Sequence, residues 1–169
     1  MNLERPIPPP GRRSAVAPEV EVVIEIPKGS FIKRGSTGHI DFVSPFPCPF
    51  NYGSVPNYIG LEGDLLDALV LGPRLETGTL LRVSAWGAVT LTDRGMSDDK
   101  LVCSSSPLNE AQKQSVLRFF RFYAKCKGLL NVLRQRPGRN ACDGWLEATR
   151  ALARALPRDE GWRGPSVPF

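Results

Sequence analysis

Histidine is almost missing from this chain, and cysteine is scarce. The 169 residues hold one histidine, His39, and four cysteines, Cys48, Cys103, Cys126 and Cys142. No two of these cysteines form a CxxC pair, and His39 is far from all of them. Zinc held by local Cys/His spacing is therefore not expected, and a triad built on histidine is poorly supplied. The cysteines read as reduced, partly buried thiols. No apolar run approaches the roughly 20 residues that span a bilayer, so no membrane partner is expected. The N-terminus, Met1 to Pro10, lacks the apolar centre of a signal peptide. A cytoplasmic location is the expectation. Acidic charge is absent from Ala111 to Cys142, where Lys113, Arg118, Arg121, Lys125, Lys127, Arg134, Arg136 and Arg139 stand. The net charge of +5 is thus uneven. Such a run suits a polyanion, or equally a solvated helix face followed by a basic loop.

What is present fits one domain with tails. The hydrophobic fraction is 41% and the charged fraction 23%, ordinary for a globular protein whose core needs no disulfides. Residues 1–18 carry five prolines and read as a disordered arm. Residues 157–169 carry three and read as a flexible tail. The domain is expected over 19–156. Val20, Val22, Ile24 and Ile26 alternate as in a half-buried strand that Pro27 and Gly29 stop. Ile40–Val43, Asp67–Leu71, Thr79–Trp86, Ala88–Thr92 and Lys100–Cys103 read as further short strands, the fourth and fifth separated by Gly87. Short strands, Gly/Pro turns and no intervening helices predict a mainly β fold with α: a closed antiparallel barrel of five to six strands. Two C-terminal helices should flank it. Asn109 caps the first, which runs to Lys127 with Gly128 as its stop; Asp143 caps the second, ending before Pro157. Val116, Phe119, Phe120 and Tyr123 make one stripe on the first helix, and Tyr123 is its member with a polar tip.

Two carboxylate-rich turns abut strands. The first is Glu62-Gly63-Asp64-Leu65-Leu66-Asp67; the second is Thr92-Asp93-Arg94-Gly95-Met96-Ser97-Asp98-Asp99, running into Lys100. If both lie at one barrel mouth, four or more carboxylates converge. Their repulsion then requires divalent cations, and oxygen ligands of this kind suit magnesium. The spacing is not that of an EF-hand loop. Lys33 follows the first strand, Lys100 follows the second turn, and Tyr52 lies in the aromatic and proline-rich loop Pro47–Gly53. Carboxylates for metals, lysines for phosphate oxygens and a tyrosine hydroxyl together suit a highly charged phosphate substrate.

These segments, in this order, resemble the soluble inorganic pyrophosphatases, a family with an OB-like barrel. The matching stretches are Val23–Ser30, Ile32-Lys33, Asn51-Tyr52-Gly53 with Val55-Pro56-Asn57, Glu62–Leu71, Thr92–Val102, Arg118–Tyr123 and Gly144-Trp145. The likeness spans residues 20–155. It implies hydrolysis of inorganic pyrophosphate with several Mg2+ ions, Mn2+ being an alternative, by a homo-oligomer. By position, Glu62, Asp67, Asp93 and Asp98 would bind metal, and Glu25 would help place a further ion from outside. Asp64 would orient or deprotonate the attacking water, with Asp67 beside it. Lys33, Tyr52, Lys100 and Tyr123 would hold phosphate oxygens.

The chain also departs from the family's pattern. Glu62 stands where aspartate is usual. Gly35 stands where an acid follows the first lysine, Phe42-Val43-Ser44-Pro45 lacks the next strand's arginine, and the loop between Lys33 and Tyr52 is short. Arg94 replaces an acid beside Asp93. Ala124 replaces a lysine beside the helix tyrosine, with Lys125 one place along and turned by about a quarter of a helix. Arg34 and Arg94 are the candidates to restore positive charge. The rival reading is a catalytically weak or inactive OB-like module that binds nucleic acid or a protein through the basic helix. The run of Asp64, Asp67, Asp93, Asp98 and Lys100 favours the enzyme, because a binding module has no need of so many converging carboxylates.

Overall fold

The alternation at Val20, Val22, Ile24 and Ile26 becomes β1 (Glu19–Ile26), whose even-numbered residues are all buried in the computed structural model. The structure describes residues 16–34, 40–43, 46–133, 135 and 138–164, with the backbone alone for Lys33, Arg34 and residues 40–43. His39, Gly35, Ser44, Pro45, the arm 1–15 and the end 165–169 lie outside the described residues. The elements after β1 are β2 (Ile32–Arg34), β3 (Ile40–Val43), β4 (Asn51–Ile59), β5 (Leu65–Val70), β6 (Leu80–Asp93) and β7 (Met96–Ser104). The chain continues through α1 (Glu110–Leu133), β8 (Ala141–Leu146), α2 (Ala148–Arg154) and β9 (Leu156–Pro157).

Five strands pair in a ring, β1–β4–β5–β7–β6 and back to β1. The expected mainly β ring with two C-terminal helices is present, but it is not wholly antiparallel. β5 and β7 run parallel, with Asp67 opposite Lys100. The other four pairings of the ring are antiparallel, and a closed ring of five strands then leaves this one pair parallel. One face of the ring buries Val22, Ile24, Val55, Leu66, Ala68 and Leu101, and α2 adds Ala148 and Ala151 to that cluster. The other face buries Tyr52, Leu69, Val89, Leu91 and Val102 beneath Val116, Leu117 and Phe120 of α1. Alternate residues of one strand thus serve two cores.

Four sequence expectations change. The two strands expected around Gly87 are one long β6, whose register shifts between Ala85 and Gly87. The shift changes which parity faces inward, so Val83 and Ala85 before it and Ala88 after it share one core. Residues 51–59, read partly as a loop, are β4; Pro56 is tolerated because the pairing is already irregular between Val55 and Ile59. Asp143 caps no helix. It lies in β8, accepting from Arg139 Nη2 at 3.0 Å and Thr92 Oγ1 at 2.6 Å, and pairing with the β6 edge delays α2 to Ala148. The first helix passes Gly128 and ends at Leu133. Glycine inside a helix costs about 1 kcal/mol, offset here because Asn131 is buried and donates to Asn140 at 3.3 Å while Gly128 faces the same Asn140.

The helix start is as expected. Gln112 N–H donates to Asn109 Oδ1 at 2.8 Å and Asn109 N–H to Gln112 Oε1 at 2.9 Å, a reciprocal capping box. At the other end of the chain, β9 pairs with Tyr58 and Ile59, and Arg158 N–H donates to Asn57 O at 2.9 Å.

Gly87 is the tightest point of the β6–β8 contact: a Cβ there would lie 2.2 Å from the Trp145 ring. Gly87→Ala is expected to destabilise the fold by about 1–3 kcal/mol through overpacking. Urea unfolding measures it, and an unchanged midpoint contradicts the packing described.

Candidate functional site

The strand register builds the site. On the α1 face of the ring, β4 presents Tyr52, β5 presents Asp67, and β7 presents Asp98 and Lys100. Asp67 and Lys100 are opposite one another, so their side chains meet by pairing alone. The first acidic turn precedes β5. Gly63 N–H donates to Gly60 O at 3.1 Å and Gly60 N–H to Asp64 O at 2.7 Å, with Gly63 at φ 91. This turn folds the Glu62 carboxylate back over Gly60, where a Cβ would sit 2.9 Å from Oε2. The second turn is the β6–β7 hairpin, which carries Asp93 at its base.

At the centre Lys100 Nζ donates to Asp67 Oδ2 at 2.5 Å and to Asp98 Oδ1 at 2.9 Å. Tyr52 OH donates to the same Asp67 oxygen at 2.5 Å. Burial pulls the Lys100 ammonium down, but Asp67 and Asp98 more than offset it and hold it well above the usual lysine range. Burial, then Asp67, holds the Tyr52 phenol neutral well beyond its ordinary range. Glu62, Asp67 and Asp98 each bring an oxygen within 4.8 Å of the other two. Burial, then the charges of Asp98 and Asp67, push the Glu62 carboxyl up to about 8.

The cavity around these groups measures about 130 Å³ and is also lined by Asp64, Asp93, Arg94, Tyr123 and Lys127. Asp64 Oδ1 accepts from Leu65 N–H at 2.7 Å. Lys127 Nζ donates to Asp93 Oδ2 at 2.5 Å. The two acidic turns therefore meet at one end of the ring. Glu62 Oε2 and Asp93 Oδ1 are buried without a hydrogen-bond partner. Orphaned carboxylate oxygens beside a three-carboxylate cluster fit a hard divalent cation, which takes oxygen ligands. A larger cleft of about 510 Å³ lies by Lys28, Phe50 and Gln112, and no acidic side chain among the described residues lines it.

Of the sequence-predicted residues, Glu62, Asp64, Asp67, Asp93, Asp98, Tyr52, Lys100 and Tyr123 share the cavity. Glu25 is not among its lining residues; its Oε1 accepts from Ser54 Oγ at 2.7 Å, one strand away from Asp67. The Lys33 side chain lies outside the described residues, its backbone being in β2. Sequence reasoning missed Lys127. The signal was its spacing: four residues after Tyr123 is the same helix face. It went unused because the helix was expected to end there. Lys125 is exposed and Ala124 is buried under the helix. Others of the basic run have partners within the chain, Lys113 over the Trp145 ring and exposed Arg139 on Asp143.

Comparison with known proteins follows the same lines. The sequence matches the inorganic pyrophosphatase family over residues 22–141. It is 36% identical to the inorganic pyrophosphatase of Streptomyces coelicolor over 125 residues, 62% of this chain and 77% of that one. Among solved structures, the inorganic pyrophosphatase of Thermus thermophilus superposes with a TM-score of 0.65 at 26% identity, over 85% of this chain and 90% of that one. That of Helicobacter pylori gives 0.65 at 25% identity, over 80% and 88%.

Without metal, the folded chain keeps a proton on Glu62 up to about 8, whereas its ordinary value is 4.5. Between these values the folded state binds the extra proton, so stability falls as pH rises through the window. With a chelator present, melting at a pH of about 8.5 is expected below melting at about 5.5, and Glu62→Gln is expected to flatten the difference. An equal slope in that variant contradicts the environment assigned to Glu62.

Proposed function

The chain belongs to the inorganic pyrophosphatase family, and we propose that it hydrolyses inorganic pyrophosphate to two phosphates with Mg2+ bound among its carboxylates. The observation that carries this reading is the meeting of Glu62, Asp67 and Asp98 around Lys100 in one acidic cavity. Cavity size supports the substrate class. Sites for drug-sized ligands run from about 300 to 1,000 Å³; 130 Å³ suits a small inorganic anion.

Glu62, Asp67, Asp93 and Asp98 would hold the ions, with Mn2+ a possible substitute for Mg2+. When bound, such ions supply Lewis acidity toward phosphoryl oxygens and the attacking water. Asp67 is held in place by Tyr52 and Lys100, which both donate to its Oδ2. Asp64, on the same turn, takes or directs the proton of the water. Lys100 has three hydrogens and gives two to carboxylates, leaving one for a phosphate oxygen. Tyr123 lines the same cavity and offers a hydroxyl from α1. Glu25 is a more distant support, acting through Ser54 next to Asp67.

The same reading carries a homo-oligomer, supported by the exposed strip Phe122, Leu129, Val132 and Leu133 on α1. It also carries a cytoplasmic location, supported by four free cysteines and by the lack, among the described residues, of a helix long and apolar enough to cross a membrane.

Purified protein is expected to release phosphate from pyrophosphate when Mg2+ is added. Asp67→Asn is expected to lower kcat at least about 100-fold, the scale of losing a preorganised charged group; parental turnover in that variant contradicts the role given to Asp67. Light scattering of the parent is expected to give a multiple of 18.6 kDa, and a monomer mass contradicts the oligomer.

A further inference from the structure

Two cations share Asp93. Lys127 Nζ bonds its Oδ2 at 2.5 Å, and Arg94 Nε stands 4.0 Å from its Oδ1. One carboxylate neutralises one of them, so two cations stand to one carboxylate at this end of the cavity lining. The cations come from opposite walls. Lys127 lies on α1, its ammonium 5.8 Å from the centre of the Tyr123 ring. Arg94 lies in the β6–β7 turn.

The backbone of that turn is unusual. Arg94 has φ 49 and Gly95 has φ 84. Two left-handed residues in a two-residue hairpin make a type I′ turn, where Asn, Asp or Gly is the ordinary first residue. Arginine there is strained, and strain of this kind collects where a side chain has a task. Its surroundings hold it. Gly138 lies so close that a Cβ would be 2.7 Å from the Arg94 Cα, and Gly95 N–H donates to Arg139 O at 3.1 Å. Lys100, by contrast, already gives two hydrogens to Asp67 and Asp98.

Resting on the diphosphate reading above, we propose that Lys127 and Arg94 form the cation pair that grips one phosphate group of the substrate, with Asp93 as the positioning residue that keeps Lys127 in the cavity. Arginine offers a fork to two phosphate oxygens, and lysine a point charge. The pair compensates for the uncharged Ala124 with a lysine one turn farther along the helix and a cation from the hairpin.

The test is titration of inorganic phosphate, with Mg2+ present, into the full chain and its variants. Lys127→Met and Arg94→Met are each expected to raise the phosphate Kd roughly tenfold. Lys127→Arg is expected to recover most of the loss, and exposed Lys125→Met to change nothing. Arg94→Gly separates binding from folding: glycine fits the turn, so Tm is expected to rise while phosphate affinity still falls. The KM for pyrophosphate should rise in step with these Kd values. Parental phosphate affinity in Lys127→Met or in Arg94→Gly overturns the assignment. If the parent binds phosphate, the variants lose it and no pyrophosphate is cleaved, the hydrolase reading fails while this assignment stands.

Discussion

The ammonium of Lys100, held between the carboxylates of Asp67 and Asp98, is the interaction on which the rest of the site depends. Those acids lie on adjacent parallel strands, close enough that their repulsion would part them without a cation. Lys100 is buried and charged, and it binds both turns of the cavity to one point. Removing one partner of such a buried pair typically costs about 3–5 kcal/mol, because the remaining charge is stranded. Tyr52 adds a second donor to the same Asp67 oxygen. The outcome is a cluster that is stable when folded and still deficient in positive charge, as the raised carboxyl of Glu62 records.

The ring topology supplies that geometry. Pairing of β6 with β1 and of β7 with β5 closes the ring, and the polar cluster is built into the rim of the face beneath α1. Phe120 and Val116 anchor the helix against Val89, Leu91 and Val102. That anchoring brings Tyr123 and Lys127 over the acidic turns. On the opposite face Asp99, one residue from Asp98, is buried with Arg154 of α2 at 3.4 Å. The helices at the end of the chain thus act on both sides of one strand.

Much of this was legible in the sequence because strand periodicity and turn chemistry are local. Val20 to Ile26 announced β1, and the spacing of Asp64, Asp67, Asp93, Asp98 and Lys100 announced the cluster. What was hidden depends on partners distant in the chain. Pro56 disguised β4, whose irregular pairing accommodates it. Asp143 looked like a helix cap because aspartate favours caps, yet pairing with β6 and a bond from Thr92 placed it in a strand. Gly128 looked like a stop, and the contact of Asn131 with Asn140 overrode it. With the helix expected to stop at Lys127 instead of Leu133, Lys127 sat at an apparent terminus instead of above Asp93. The parallel direction of β5 and β7 could not be read from either strand alone.

The chain belongs to the inorganic pyrophosphatase family, and Arg94 and Lys127 line the same cavity as its acidic core. The account stands or falls on whether the two turns take a divalent ion together. An anomalous difference map from crystals soaked in Mn2+ tests this directly. A peak within bonding distance of Asp67 and of Glu62 or Asp98 is predicted. Mn2+ density confined to other parts of the surface, with Lys100 still between two uncoordinated carboxylates, would contradict it.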